Sequence, residues 1–322
     1  MSPKKQHEVG IMAALVGKVA AAHRVETVID LGSGQGYLSR LLAFQHGLNV
    51  LGVDGDPAQS AGAYRIDAQF AKRSTRVPGE LSHSTLLISP ASLPQLQRNI
   101  VDFNGQKDWL LCGLHTCGSL AYTTIDLFFK TDAKCLVTVA CCYNRLTVGE
   151  EFPTSSFLKE RSPRLGRLAL KMACQTPSSW PSNPEECFEF FKRHFYRALL
   201  QKLMVEIGLI SATQAPPAIG KLKKNSFFSF QVYAHAALVQ LGYPVSDPEG
   251  IQAFYEKHRA GYRQIALVWS LQSCLAPVIE SLLILDRYIS IRERLGPSGD
   301  VTILPMFDLL VSPRCFALVA HK

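Results

Sequence analysis

The sequence predicts an α/β fold with a mostly parallel sheet. Short apolar runs alternate with helical periodicity from the N-terminus onward, as in successive β-α-β units. Several of these runs are apolar almost throughout, as expected of strands covered on both faces. A glycine-rich turn also joins the first predicted strand directly to a helix.

A helix is expected over 7–22 and a first strand over 25–31. A helix over 35–44 follows, entered from the glycine turn, and then a second strand over 49–54. Pro57 suits the first turn of the next helix, capped by Asp56 and running to Lys72. Residues 74–83 read as a loop, 85–88 as a weak third strand and 93–103 as a helix. Strands four and five are expected over 109–114 and 135–140. Beyond Asn144 strand alternation stops, prolines recur at 153, 163, 177, 181 and 184, and long helical patterns cover 185–207 and 230–241. The sheet resumes after about 255, with a helix over 260–292 and two strands over 301–306 and 315–320. Their short link makes those two strands antiparallel neighbours. The expected organisation is therefore 1–144, a helical insertion over 145–255, and a closing part over 256–322.

Of the 322 residues, 47% are hydrophobic and 19% charged, which leaves ample material for a core. The net charge of +8 favours a polyanionic partner, RNA above all. Nine cysteines, an odd number in a long chain, read as reduced thiols of an intracellular protein, cytoplasmic or nuclear. The polar N-terminus is not a secretory signal. The apolar run over 265–285 contains Gln272, Pro277 and Glu280 and reads as a buried, kinked core helix, so no membrane partner is expected.

The turn Asp30-Leu31-Gly32-Ser33-Gly34-Gln35-Gly36 places a glycine at every second position. Backbone without side chains can turn sharply there and lie against a ligand. A dinucleotide fingerprint would put its third glycine at position 37, which is Tyr37, so a pyrophosphate loses its usual cradle. The Asp30 carboxylate would repel a pyrophosphate but suits a cationic amino-acid end. S-adenosylmethionine is the expected cofactor, with Asp30, Gly32, Ser33, Gly34, Gly36 and Tyr37 around it. Asp54, closing the second strand, is placed to accept from ribose hydroxyls. Ser89 and Ser92 are the nearest polar groups for an adenine.

In open α/β sheets ligands sit beyond the carboxyl ends of the strands. The fourth strand ends Gly113-Leu114-His115-Thr116-Cys117-Gly118 and the fifth Ala140-Cys141-Cys142-Tyr143-Asn144. His115, Tyr143 and Asn144 are the catalytic candidates. His115 serves as general base or orienter, and also borders the cofactor. Cys141 and Cys142 read as small core residues rather than nucleophiles. A zinc site of His115, Cys117, Cys141 and Cys142 is disfavoured, because paired Cys-x-x-Cys spacing is absent and adjacent residues of a strand face opposite ways. No metal is expected. The fourth strand is not followed by Asn/Asp-Pro-Pro-Tyr/Phe, which argues against N6-adenine chemistry.

These segments, with the N-terminal Lys4-Lys5-Gln6-His7-Glu8 and the C-terminal Leu310-Val311-Ser312-Pro313-Arg314, resemble the methyltransferase-like protein 25 family. The resemblance implies a class I methyltransferase sheet of seven strands, Rossmann-like, with the helical insertion between strands five and six. It also implies use of S-adenosylmethionine. More distantly the sequence is similar to tRNA 2′-O-methyltransferases with a His-x-Cys-Gly segment and a Cys-Cys pair. Two departures accompany the likeness. Ser119 stands where the family pattern places Asp, and family members carry a region ahead of the Lys4-Lys5 segment at which this sequence begins, so the resemblance implies that a substrate-binding part is missing here.

The insertion interleaves basic and aromatic residues: Lys192, Arg193 and His194 among Phe190, Phe191, Phe195 and Tyr196, then Lys221, Lys223 and Lys224 beside Phe227 and Phe228. Such interleaving suits phosphate contact with base stacking. The expected activity is methyl transfer to RNA. A protein acceptor, or cofactor binding with catalysis lost, are the alternatives.

Overall fold

A computed structural model describes residues 1–71, 79–147, 149–175, 183–243, 247–297 and 299–322. The expected end of the third helix at Lys72, residues 74–78 of the expected 74–83 loop, and Pro177 and Pro181 lie outside them. The chain forms two compact units, one of Met1–Ser178 with Leu275–Lys322, the other of Ser179–Cys274.

In the first unit the elements alternate as α1 (Pro3–Ala22), β1 (Thr27–Leu31), α2 (Tyr37–His46), β2 (Asn49–Asp54), α3 (Pro57–Ala71), β3 (Leu81–Thr85), α4 (Leu93–Asn104), β4 (Trp109–Thr116), α5 (Ser119–Lys130) and β5 (Cys135–Ala140). The short helices α6 (Ser156–Arg161) and α7 (Arg167–Met172) follow, and β6 (Asp300–Pro305) and β7 (Phe316–His321) close the unit. The seven strands form one sheet in the order β3-β2-β1-β4-β5-β7-β6. The pairs from β3 through β5 are parallel, while β7 runs antiparallel to both β5 and β6. This is the seven-stranded α/β sheet that the sequence predicts.

Strand side chains alternate between two helical layers. Val28, Leu110 and Cys112 face α1 and α2, against Val9, Met12, Leu38 and Leu42. Ile29, Leu31 and Leu111 face the other way, against Leu96 and Ile100 of α4, Ile125 and Phe128 of α5, and Ile284 and Ile291. Period-2 alternation puts Asp30 on the Val28 side, beneath α2, so its carboxylate is buried.

The third strand is Leu81–Thr85, not 85–88. Among the described residues it is the edge of the sheet, paired to β2, and carries Ser82, His83 and Ser84. Its polarity hides it from an apolar-run reading. Leu86 and Ile88, which prompted the expectation, are instead partly buried side chains packed beyond the strand end.

The boundary of the insertion also moves. Residues 145–147 and 149–175 belong to the first unit, where Leu146, Phe152, Leu158 and Leu170 cluster with Tyr143 and Leu283. The backbone and hydroxyl groups of Thr154 and Ser155 donate to the Asp286 carboxylate at 2.6–2.9 Å. Four charge-assisted bonds tie this stretch down.

The second unit consists of α8 (Pro184–Glu206), α9 (Phe230–Gln240), α10 (Pro248–His258) and the start of α11 (Tyr262–Leu295), which continues into the first unit. Its core holds Phe195, Tyr196, Leu199, Leu203, Phe230 and Phe254. The expected burial of the 265–285 run does not hold. Pro248–Leu295 contains a window long and apolar enough to cross a bilayer, and only 22% of that window is buried. Leu267, Leu271, Leu275 and Val278 recur at helical spacing and are exposed, so the run is apolar on more than the face that packs.

Candidate cofactor site

The sheet order reverses between β1 and β4, and the loops leaving these two strands form a cavity of about 330 Å³. From the turn after β1 come Asp30, Gly32, Ser33, Gly34 and Tyr37, from β4 come Leu114 and His115, and from α1 come Lys4, Lys5 and Glu8.

The glycine turn is held from both sides. The Gly32 and Ser33 N–H groups donate to the Val53 carbonyl at 2.8 and 3.2 Å. The Gly34 N–H donates to Asp54 Oδ2 at 2.8 Å, and the Asp56 N–H to Asp54 Oδ1 at 2.9 Å. Gly32, Gly34 and Gly36 all have left-handed φ, between 56° and 71°. Their surroundings differ. A Cβ on Gly34 would meet nothing closer than 3.9 Å, whereas one on Gly36 would come within 2.7 Å of the His83 ring. Gly34 is thus the glycine open to a ligand. Gly36, contrary to expectation, does not border the cavity and is small because His83 lies against it.

Asp30 borders the cavity but is committed elsewhere. Ser39 Oγ donates to its Oδ2 at 2.7 Å, and Cys112 Sγ lies 3.8 Å from Oδ1. Burial pushes its carboxyl up to about 6, partly offset by those two hydrogen bonds. It is therefore a poor free counter-charge for an ammonium group, contrary to the expectation from the sequence. Glu8 is better suited. Its Oε2 lies 3.0 Å from His115 Nε2, Ser312 Oγ donates to its Oε1 at 2.5 Å, and Lys4 Nζ is 3.8 Å away. Burial raises the Glu8 carboxyl, but the bonds from His115 and Ser312 and the neighbouring charges outweigh it and hold Glu8 below the usual range. Burial lowers the Lys5 ammonium, which stacks over the Tyr37 ring at 4.2 Å.

His115 owes its aim to a β-bulge. The β4–β5 register steps from Leu114↔Val139 to Thr116↔Ala140, leaving His115 as the extra residue with φ 63°. A bulge re-aims a side chain, and here it turns the imidazole toward Glu8.

Tyr143 does not take the place expected of it. It is 2% exposed, its hydroxyl donates to Glu280 at 3.2 Å, and Arg287 and Arg314 lie over its ring. Burial pushes its phenol well above the usual value. It packs against α11 and lies outside the cofactor cavity. Asn144 is exposed and likewise outside it, with its Oδ1 3.4 Å from Cys174 Sγ.

Sequence reasoning missed the support beneath the turn. Asp67 Oδ1 accepts from Arg40 Nε at 2.6 Å, and Oδ2 lies 2.7 Å from His83 Nε2. Arg40 Nη2 in turn donates to the Gln35 carbonyl at 2.7 Å. No motif marks Asp67 or His83, and the expected loop concealed the latter. Ser312 was visible only as part of the C-terminal segment.

The family model for a methyltransferase domain matches residues 4–149, which contain every residue lining this cavity except Ser2. The chain carries a methyltransferase domain over these residues. Over its whole length it is 25% identical to the mouse protein named "Probable methyltransferase-like protein 25" and 24% identical to the human one, covering 75% of each. Among solved structures it is similar to magnesium protoporphyrin IX methyltransferase from Synechocystis PCC 6803 with bound SAH, at a TM-score of 0.31 and 19% identity, over 52% of this chain and 70% of that one.

S-adenosylmethionine is the methyl donor that the sequence predicts for this domain. The residues present fit it. Its amino-acid end carries one ammonium and one carboxylate, and the cavity offers Glu8 beside Lys4 and Lys5. Gly34 leaves room for close backbone approach.

Proposed function

We propose that this methyltransferase transfers a methyl group to RNA. The observation carrying this reading is a basic, aromatic surface on the second unit. Lys221, Lys223 and Lys224 are exposed, and Phe228 beside them is 85% exposed. Exposed cations next to an unburied ring suit phosphates and a stacked base. Several aromatics of the insertion serve packing instead: Phe195 and Tyr196 are buried, His194 stacks on Trp269 at 3.7 Å, and Arg193 covers Phe227. The net charge of +8 acts in the same direction.

In this reading S-adenosylmethionine supplies an electrophilic methyl group on its sulfonium. Lys5 and Lys4 meet the carboxylate of its amino-acid end and Glu8 the ammonium. Asp54 receives ribose hydroxyls, since each of its oxygens keeps a lone pair beside its backbone bond. With Nε2–H donated to Glu8, His115 offers Nδ1 as the basic nitrogen toward an acceptor hydroxyl.

The test is transfer of a tritiated methyl group into RNA and protein fractions of cells lacking this protein. Label in RNA, with binding whose salt slope drops by about 2 in Lys221→Ala/Lys223→Ala/Lys224→Ala, is the expected result. Label in protein alone, or cofactor binding with no transfer to either fraction, contradicts it.

A further inference from the structure

We infer that Cys117, Cys141 and Cys142 form a zinc site between the loops that leave β4 and β5, with Cys174 as the fourth ligand. The three sulfurs converge. Cys117 Sγ is 2.9 Å from Cys141 Sγ and 3.2 Å from Cys142 Sγ, and the latter two are 3.4 Å apart. None of the three borders the cofactor cavity. Among the described residues this is the cluster of His, Cys, Asp or Glu whose ligand atoms close to single-ion range.

Cys141 and Cys142 do not lie on a strand facing opposite ways, as their sequence suggests. β5 ends at Ala140, so both residues belong to the loop and both thiols turn toward Cys117. Cys117 is brought there by the bulge at His115 and by Gly118, whose φ of 56° starts the turn into α5. His115 is not a member of the cluster, which joins the three cysteine sulfurs alone.

The dimensions suit one tetrahedral ion. Zinc–sulfur bonds of about 2.3 Å at tetrahedral angles place sulfurs about 3.8 Å apart, so each pair needs to open by less than about 1 Å. Three soft thiolates select zinc over oxygen-preferring cations. Cys174 enters from the segment after α7, its Sγ 3.4 Å from Asn144 Oδ1 and 4.0 Å from the Cys141 carbonyl oxygen. On binding, each thiol gives its proton to solvent as the zinc–sulfur bond forms, with no change of oxidation state. A disulfide between Cys117 and Cys141 would instead need an oxidant and closure to about 2.05 Å. The ion would fasten the His115 bulge to the β5 loop, which gives a site apart from the cofactor a reason to be there.

The full chain, purified under reducing conditions, is assayed for metal by mass spectrometry of the elements, and the metal-free protein is titrated with Co²⁺ and Zn²⁺. The expected result is one zinc per chain and tetrahedral cobalt–thiolate absorption bands that zinc displaces. Cys117→Ser and Cys141→Ser lose both, Cys174→Ser binds at least tenfold more weakly, and Cys274→Ser, an exposed cysteine outside the cluster, binds as wild type. If a variant fails to fold, the wild-type cobalt spectrum still decides the question. No zinc in the reduced protein together with no cobalt–thiolate bands overturns the site. So does a Cys117–Cys141 disulfide in protein that takes up no metal after reduction.

Discussion

The His115 imidazole lies 3.0 Å from the Glu8 carboxylate, and this pair joins the bulge of β4 to the first helix. A third arm comes from Ser312, which donates to Glu8 from near the C-terminus. Glu8→Gln keeps the shape of the side chain but removes the charge that both holds His115 and faces the ligand. The expected effect is about tenfold weaker S-adenosylmethionine binding by calorimetry, near 1.4 kcal/mol, and a larger fall in methyl transfer. A Glu8→Gln protein with wild-type affinity and turnover would remove Glu8 from the site.

Asp30 makes stability depend on pH in an unusual direction. Its carboxyl is pushed up to about 6 from 3.8, chiefly by burial. Between those values the folded chain holds a proton that the unfolded chain has released. Stability from this group therefore falls as pH rises from about 4 through 6, by roughly 3 kcal/mol in total. Denaturant melts across that range should show the slope in wild type and a flatter profile in Asp30→Asn. Identical profiles would mean that Asp30 titrates normally.

Asp67 behaves oppositely. Burial raises its carboxyl, but hydrogen bonds from His83 and Arg40, with their charges, prevail and hold it below 3.8. Its contribution is present above pH 4 and lost as acid protonates it in the folded state. Asp67→Asn leaves the nearly buried Arg40 without its partner, so thermal unfolding at pH 7 should show a loss of roughly 3 kcal/mol. Cofactor affinity should fall with it, because Arg40 also holds the Gln35 carbonyl. A thermally wild-type variant would show that the turn supports itself.

Two glycines of one turn should respond differently. Gly34→Ala and Gly36→Ala share the backbone cost of a left-handed residue, about 1–2 kcal/mol. Only Gly36→Ala also drives a Cβ to 2.7 Å from the His83 ring. Gly36→Ala should therefore melt at the lower temperature, while Gly34→Ala loses cofactor affinity out of proportion to its stability. Equal melting temperatures would show that His83 yields.

The glycine turn, Asp54 at the end of β2 and the antiparallel β6–β7 pair were legible because spacing and period write them into local sequence. The layer facing of Asp30 was legible in principle, since it shares a face with Val28, yet its burial depended on where α2 lies. β3 was hidden because an edge strand needs few apolar residues. Tyr143 was misplaced because nothing local records that Glu280, Arg287 and Arg314 arrive from distant sequence to enclose it. The same holds for Asp67, His83 and Ser312, whose partners are set by tertiary packing alone. The sulfurs of Cys117, Cys141 and Cys142 meet only because a bulge and a strand end fall where they do.

The decisive measurement is a calorimetric titration of S-adenosylmethionine into the wild-type chain and into Gly34→Val, with circular dichroism to confirm that both are folded. One molecule should bind per wild-type chain, and Gly34→Val, whose side chain would occupy the open face of the turn, should not bind measurably. Absence of binding to wild type, or equal affinity in the folded variant, would contradict a cofactor site between the glycine turn, α1 and His115.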